Sequence, residues 1–319
     1  MDPNPIVTTS GKFTDEIILV DLYTYSFNKL GTAFILETPE CFSIIDCGTS
    51  NSVRNLIKFL KEQIPLEKVK YLIPSHFHFD HFGGGWKLWK KIHEVNPDVK
   101  VLTTQTSKEL LQDPEPHMKR AERMFGGLIG VMKSIPDEAF EIIEPDTPLS
   151  IPGLDGSRQF KLVSTPGHTP DHVSPTLFEN GEAKFTFLGE TAGALLHSSK
   201  ILTLGSSMPP DFIFDTYMKS LNKLIELKPK NVGYCHFGGI KGQDHVMEAL
   251  LGHEEYAQDF KEYVKKRYEE SGRVKFIVDE YMEEEVPKRT DWEHIELLRN
   301  IVIGIVYGQL IDLGLKPRD

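Results

Sequence analysis

The run His76-Phe77-His78-Phe79-Asp80-His81 sets three imidazoles and a carboxylate within six residues. It follows the apolar Tyr71-Leu72-Ile73 and precedes Phe82-Gly83-Gly84-Gly85, which puts it on the loop leaving a buried strand. Four polar groups at the edge of a core are costly to desolvate unless something binds them, and a metal ion is the simplest partner. Imidazole nitrogen suits zinc or iron, the carboxylate adds a hard oxygen, and the glycines let the backbone come close before the next helix.

Three further candidates close apolar runs in the same manner. His168 sits in the turn-rich Ser164-Thr165-Pro166-Gly167-His168-Thr169-Pro170, Glu190 ends Phe185-Thr186-Phe187-Leu188-Gly189-Glu190, and His236 ends Asn231-Val232-Gly233-Tyr234-Cys235-His236. Ligand types at the carboxyl ends of several strands point to one shared site at the edge of the sheets. Strand alternation turns Cys235 to the face opposite His236, into the core. Asp171 and His172 belong to the His168 loop and read as groups behind the ligands, or on the surface, rather than as ligands. Asp46 has two readings: a cap for the helix that starts near Ser50, or a partner that orients a metal histidine and fixes its tautomer.

The elements that must position these residues fall into two blocks. Ile17–Val20, Ala33–Leu36 and Phe42–Ile45 are strand-like, the spacing of Val53, Leu56, Ile57 and Leu60 predicts a helix over 50–63, and Val69–Ile73 is again a strand. The second block predicts strands at 160–163, 173–177 and 184–188, a helix over 212–227 and a strand at 231–234. Two sheet-and-helix halves imply a layered α/β sandwich. Between them lies an insertion, about 105–148, whose Met118, Met124, Phe125, Leu128, Ile129 and Met132 accompany Gly126, Gly127 and Gly130; it either packs on the core or moves as a lid. Past Gly242, helices over 245–270 and 292–313 are joined by a strand-like 274–278. The division expected is a sheet domain over 1–242 and a helical extension over 243–319, packed near the site's mouth or against a second subunit.

From Ile17 to Gly242 the pattern resembles the metallo-β-lactamase superfamily: an HxHxDH motif, a later histidine, a bridging acid, a last histidine and an aspartate turn, here Ile45-Asp46-Cys47-Gly48. The resemblance implies an αββα sandwich, here with a helical insertion and a C-terminal helical extension. It implies that His76, His78 and His168 bind one metal, that Asp80, His81 and His236 bind the other, and that Glu190 bridges them. Two divalent cations, zinc or iron, would lower the pKa of a shared water enough to supply hydroxide for hydrolysis, with Asp80 orienting it or relaying a proton.

The chain departs from the family at the bridge, usually aspartate. Glu190 either bridges from a displaced backbone or binds one metal only. Gly193 stands where quorum-quenching lactonases carry a tyrosine, and Cys235-His236-Phe237-Gly238 differs from glyoxalase II. The expected substrate is therefore a small, uncharged or modestly anionic ester, thioester, lactone, β-lactam or phosphodiester. The competing class is a non-hydrolytic di-iron protein that binds or reduces oxygen; against it, His78 stands where flavodiiron proteins carry glutamate, and no flavodoxin-like segment follows.

Bulk composition narrows the partners. In 319 residues, 36 Lys and Arg face 47 Asp and Glu, and the net charge of −11 works against nucleic acid and anionic membranes. Met1-Asp2-Pro3-Asn4-Pro5 has neither a basic nor an apolar signal segment, and Ile301–Tyr307 is far shorter than the roughly 20 residues that span a bilayer. Three cysteines, Cys41, Cys47 and Cys235, are too few for a disulfide framework. These features predict a cytoplasmic protein acting on a small molecule, with homodimerisation as a further expectation.

Overall fold

The computed structural model describes residues 5–196 and 199–318. The first half runs β1 (Ile6–Val7), β2 (Gly11–Lys12), β3 (Ile17–Asp21), β4 (Thr32–Glu37), β5 (Phe42–Ile45), α1 (Val53–Gln63), β6 (Val69–Ile73), α2 (Phe79–Phe82), α3 (Gly85–His93) and β7 (Lys100–Thr103). The insertion supplies α4 (Gln105–Gln112), α5 (Glu115–Phe125) and β8 (Phe140–Ile142). Next come β9 (Arg158–Ser164), β10 (Val173–Glu179), β11 (Glu182–Gly189), α6 (Phe214–Leu227), β12 (Asn231–Tyr234) and β13 (Gly238–Lys241). The chain closes with α7 (Gln243–Ser271), α8 (Val274–Glu284), α9 (Val286–Arg289) and α10 (Ile295–Asp312).

One sheet has the order β2-β3-β4-β5-β6-β7-β8 and the other β1-β13-β12-β11-β10-β9. β5 to β8 run parallel, as do β11 and β12, and parallel neighbours need helical crossovers, which α1, α3, α4–α5 and α6 provide. The 105–148 segment is therefore not wholly an appendage, because its β8 extends the first sheet beside β7. It also packs: Ile129, Met132 and Ile135 are buried with the residues of α1 and α3.

Four layers result. Val53, Leu56 and Leu60 of α1 and Leu88 and Ile92 of α3 cover the outer face of the first sheet. Phe34, Ile45, Ile73, Leu162, Phe185 and Phe187 fill the space between sheets. Leu221 and Leu224 of α6 and Val246 and Leu250 of α7 cover Val232 and Ile240 on the far side. This is the αββα arrangement. The sheets approach closely at Gly233, where a Cβ would lie 2.7 Å from Phe34 of the facing sheet and 3.0 Å from Phe185 of its own, so a larger residue would force a shift.

Residues 274–278 open helix α8 rather than forming a strand. Val274, Ile277, Val278 and Tyr281 recur at helical spacing, and Ile277, Val278 and Tyr281 are buried in the cluster that α10 completes with Val302 and Ile305. Burial of that stripe outweighs the β-branched propensity of a five-residue run. α10 begins at Ile295, three residues later than expected, with Trp292 buried ahead of it. Among the described residues, no helix is long and apolar enough to cross a membrane.

Candidate metal centre

The candidate ligands and Asp46 all stand just past the carboxyl ends of strands: Asp46 after β5, His76 to His81 after β6, His168 after β9, Glu190 after β11 and His236 after β12. Backbone bonds fasten these loops together. The carbonyl of His81 accepts from the Cys47 and Gly48 amides at 2.8 Å, Val173 N donates to Ser75 O at 2.8 Å, and Thr32 N donates to Cys235 O at 2.8 Å. Parallel strand ends thus deliver side chains from distant sequence to one place.

Ligand atoms of His76, His78, His168 and Glu190 lie within 4.8 Å of one another, as do those of His81, Cys235 and His236. Asp80 Oδ2 joins the second group, 3.7 Å from His81 Nε2 and 3.5 Å from His236 Nε2. Glu190 faces both groups. Its Oε2 is 2.5 Å from His168 Nε2, 3.6 Å from His76 Nε2 and 3.7 Å from His81 Nε2, and its Oε1 is 4.0 Å from His236 Nε2.

The far side of each ring except that of His78 is occupied, while His78 Nδ1 lies 3.1 Å from His168 Nε2. His168 Nδ1 donates to Ser206 O at 2.6 Å and His236 Nδ1 to Leu30 O at 2.8 Å. Asp46 accepts from Ser75 N at 2.7 Å and Ser75 Oγ at 2.8 Å, while Ser75 Oγ lies 3.0 Å from His76 Nδ1. Since Ser75 Oγ donates to Asp46, the network assigns the proton on His76 to Nδ1 and leaves Nε2 a lone pair aimed inward. Asp46 Oδ2 also faces His81 Nδ1 at 3.4 Å. Asp46 therefore takes the orienting place of its two readings, not that of a helix cap; the residue ahead of α1 is Ser52.

A family model described as the metallo-beta-lactamase superfamily matches residues 29–236. The chain belongs to the metallo-β-lactamase superfamily. The metallo-beta-lactamase fold-containing protein ST1585 of Sulfurisphaera tokodaii is 29% identical over 238 residues, 72% of this chain and 82% of that one. The crystal structure of ST1585 superposes with a TM-score of 0.60 at 22% identity, covering 95% of this chain and 96% of that chain. The probable metallo-hydrolase YflN of Bacillus subtilis is 26% identical over 208 residues, 60% of this chain and 74% of that protein.

Within this superfamily member, one expectation needs correction. Cys235 is buried, but it does not face away: β12 ends at Tyr234, alternation lapses, and Sγ donates to Gly189 O at 3.0 Å within reach of His81 and His236. Of its two readings, behind the ligands or on the surface, His172 takes the first. It is 1% exposed, stacks on His76 with centroids 5.1 Å apart, and its Nε2 accepts the Glu190 amide at 3.1 Å. Gly189 has to be glycine here, since φ is +54° and a Cβ would sit 2.3 Å from that nitrogen. The β11–β12 register also slips between Phe187 and Gly189, so the strand bends immediately before Glu190. Asp171 is buried, accepting from Thr169 Oγ1 at 2.8 Å, and its carboxyl is pushed up to about 6 by burial.

The electrostatics favour positive charge at the centre. Burial and the surrounding imidazoles hold His76 and His78 well below the ordinary histidine range, as neutral ligands. Burial would raise Glu190, but His168 and its neighbours keep it down at about 2; Asp80 is held low by His81 and His236 against the same burial. Conversely, burial would lower His236, yet Asp80 and Glu190 carry it up to about 9. Two ionised carboxylates thus sit together under cover, drawing on the histidines for compensation.

Sequence reasoning missed His117, on α5. Its ring lies parallel to His78 at 4.9 Å and 7°, and its Nε2 accepts the Phe79 amide at 3.1 Å, so the insertion props the ligand loop directly. Only a lone histidine on an amphipathic helix marked it. Tyr217, whose hydroxyl lies 3.3 Å from Glu190 O and 2.6 Å from His253 Nε2, was likewise invisible. Above the ligands opens a cavity of about 790 Å³, lined by His78, Asp80, Glu190 and His236 and by Tyr25, α5, Met208 and α10. Leu297, Ile301, Tyr307 and Ile311 of α10 bring the C-terminal extension to this cavity.

Proposed function

We propose that the protein is a metal-dependent hydrolase that holds one divalent ion at His76, His78 and His168, a second at Asp80, His81 and His236, and uses Glu190 for both. The observation that carries this reading is a pair of buried orphans: His76 Nε2 and His81 Nε2 have no hydrogen-bond partner among the described residues, and each faces Glu190 beyond bonding distance. A buried lone pair left alone costs about 1–3 kcal/mol, and two converging on a carboxylate fit a cation between them. An imidazole-rich set matches zinc. The bend ahead of Glu190 supports a bridge by the longer side chain, since it sets the strand end to one side.

When bound, such ions supply Lewis acidity, polarising a substrate oxygen and bringing the pKa of a water towards neutrality. The rest falls to the chain. Asp80, ionised and 22% exposed on the cavity floor, orients the attacking water, accepts its proton on a carboxylate oxygen and returns it to the leaving group. Tyr25 lines the same cavity; burial and then Asp80 keep its phenol protonated, ready to donate to oxygen that gains charge. Phe79, Met124 and Phe125 exclude bulk water. The substrate classes that suit this arrangement are carboxylic esters, thioesters, lactones, β-lactams and phosphodiesters. Metal-loaded protein offered a chromogenic panel of those classes should turn over at least one, and a chelator should abolish that rate; a fully loaded sample inert to every class would overturn the reading.

A further inference from the structure

The cavity is unevenly charged along its length. Its acidic lining, among the described residues, is confined to the floor, Asp80 and Glu190, whereas Arg120, Arg123, Lys316 and Arg318 also border it. Arg120 and Arg123 stand one turn apart on α5, exposed, and neither forms an ion pair among the described residues. Lys316, by contrast, is engaged over the Tyr268 ring. Between floor and rim the wall is apolar, with Phe79, Met124, Phe125, Met208, Leu297 and Ile301. In a chain of net charge −11, unpaired arginines beside an apolar passage are not a general surface property.

We infer that the substrate is an amphiphile: a scissile group at the His78/Asp80 floor, an apolar chain along α5 and α10, and an anionic end group, carboxylate or phosphate, received by Arg120 and Arg123. This rests on the hydrolase reading and specifies its substrate. The volume, about 790 Å³, lies within the range of about 300–1,000 Å³ for small-molecule pockets and exceeds what an acetyl ester would fill. Apolar burial is worth roughly fourfold in affinity per methylene. A planar guanidinium pairs with carboxylate or phosphate through two parallel hydrogen bonds, and at an exposed rim the attraction weakens with salt.

The test compares kcat/KM of metal-loaded protein on the 4-nitrophenyl esters of acetate and octanoate, and on octanoyl esters ended by carboxylate and by phosphate. The octanoyl probes should exceed acetate by up to about 4 × 10³-fold, roughly fourfold for each of six further methylenes, and one of the anion-ended probes should exceed plain octanoate. The double variant Arg120→Gln/Arg123→Gln should lower the preferred anionic probe about five- to tenfold more than octanoate, and added salt should shrink that gap. Equal rates on acetate and octanoate, or equal losses on charged and neutral octanoyl probes, would overturn the inference while leaving the hydrolase reading intact. Calorimetric binding of octanedioate to both proteins needs no turnover. Arginine-dependent binding without hydrolysis of any ester would remove the hydrolase reading and retain the amphiphile site; no binding beside active turnover would remove the site.

Discussion

On the floor of the cavity His76 and His168 are inaccessible to solvent and His81 nearly so, with each Nδ1 turned to a fixed neighbour, Ser75, Ser206 O or Asp46. On the wall, Arg120 and Arg123 reach solvent with no ion pair among the described residues, and Phe125 and Ile301 pack against an apolar cluster. Floor residues come from strand ends that two sheets fix in register; wall residues come from α5 and from α10, which belongs to the extension. A donor set is useful only if its geometry is held closely, so it sits on the rigid part, while specificity depends on shape that helices and tails can alter without disturbing the donors.

Substitutions at the floor should cost most. Glu190→Gln removes a charge facing both groups and should leave activity near background whatever metal is added. Glu190→Asp keeps the charge but shortens the reach by one methylene, and should lower the rate about 10–100-fold, with partial recovery in excess metal. Full activity of Glu190→Asp at ordinary metal concentration would show that Glu190 does not serve both groups.

His117 sharpens the contrast, because it belongs to the wall yet touches the floor. His117→Ala removes the stacking on His78 and the acceptor for the Phe79 amide, and metal affinity, read by competition with a chromogenic chelator, should weaken about tenfold. Unchanged affinity would separate wall from floor entirely.

The smallest effect is on stability. His253 lies behind the site, bonded to Tyr217 and Thr203, and burial, then Arg289, holds it down at about 3. Its folded pKa is below its unfolded value, so the unfolded chain takes up the proton first. The stability it contributes is complete above about pH 6.5 and is lost as pH falls toward 3, at about 1.4 kcal/mol per pH unit. Urea unfolding of His253→Gln between pH 6 and 4.5 should show a slope shallower by about one proton; an unchanged slope would contradict a neutral buried His253.

The floor was legible because its chemistry is dense in sequence. His76 to His81, and single polar residues ending apolar runs at 168, 190 and 236, reveal themselves by contrast with the strands that carry them. The wall was not, since apolar positions on α5 and α10 read the same whether they meet a core or a substrate, and His117 differs from an ordinary surface histidine only by its partner 38 residues away. Local pattern also misled at 274–278, where tertiary burial chose helix, and at Cys235, where the strand stops one residue too soon for alternation to hold. His172 could be read only as lying behind the ligands or on the surface, because its task is to accept a backbone amide, which leaves no mark in spacing.

The central claim is that two orphaned imidazoles and a shared glutamate form a dinuclear site. Its most direct measurement is metal content against activity: apoprotein titrated with zinc, with bound metal counted per chain and hydrolysis followed at each step. The account predicts saturation at two ions per chain, with activity appearing fully only when both are bound. Saturation at one ion with full activity, or hydrolysis that persists in the metal-free protein, would contradict it.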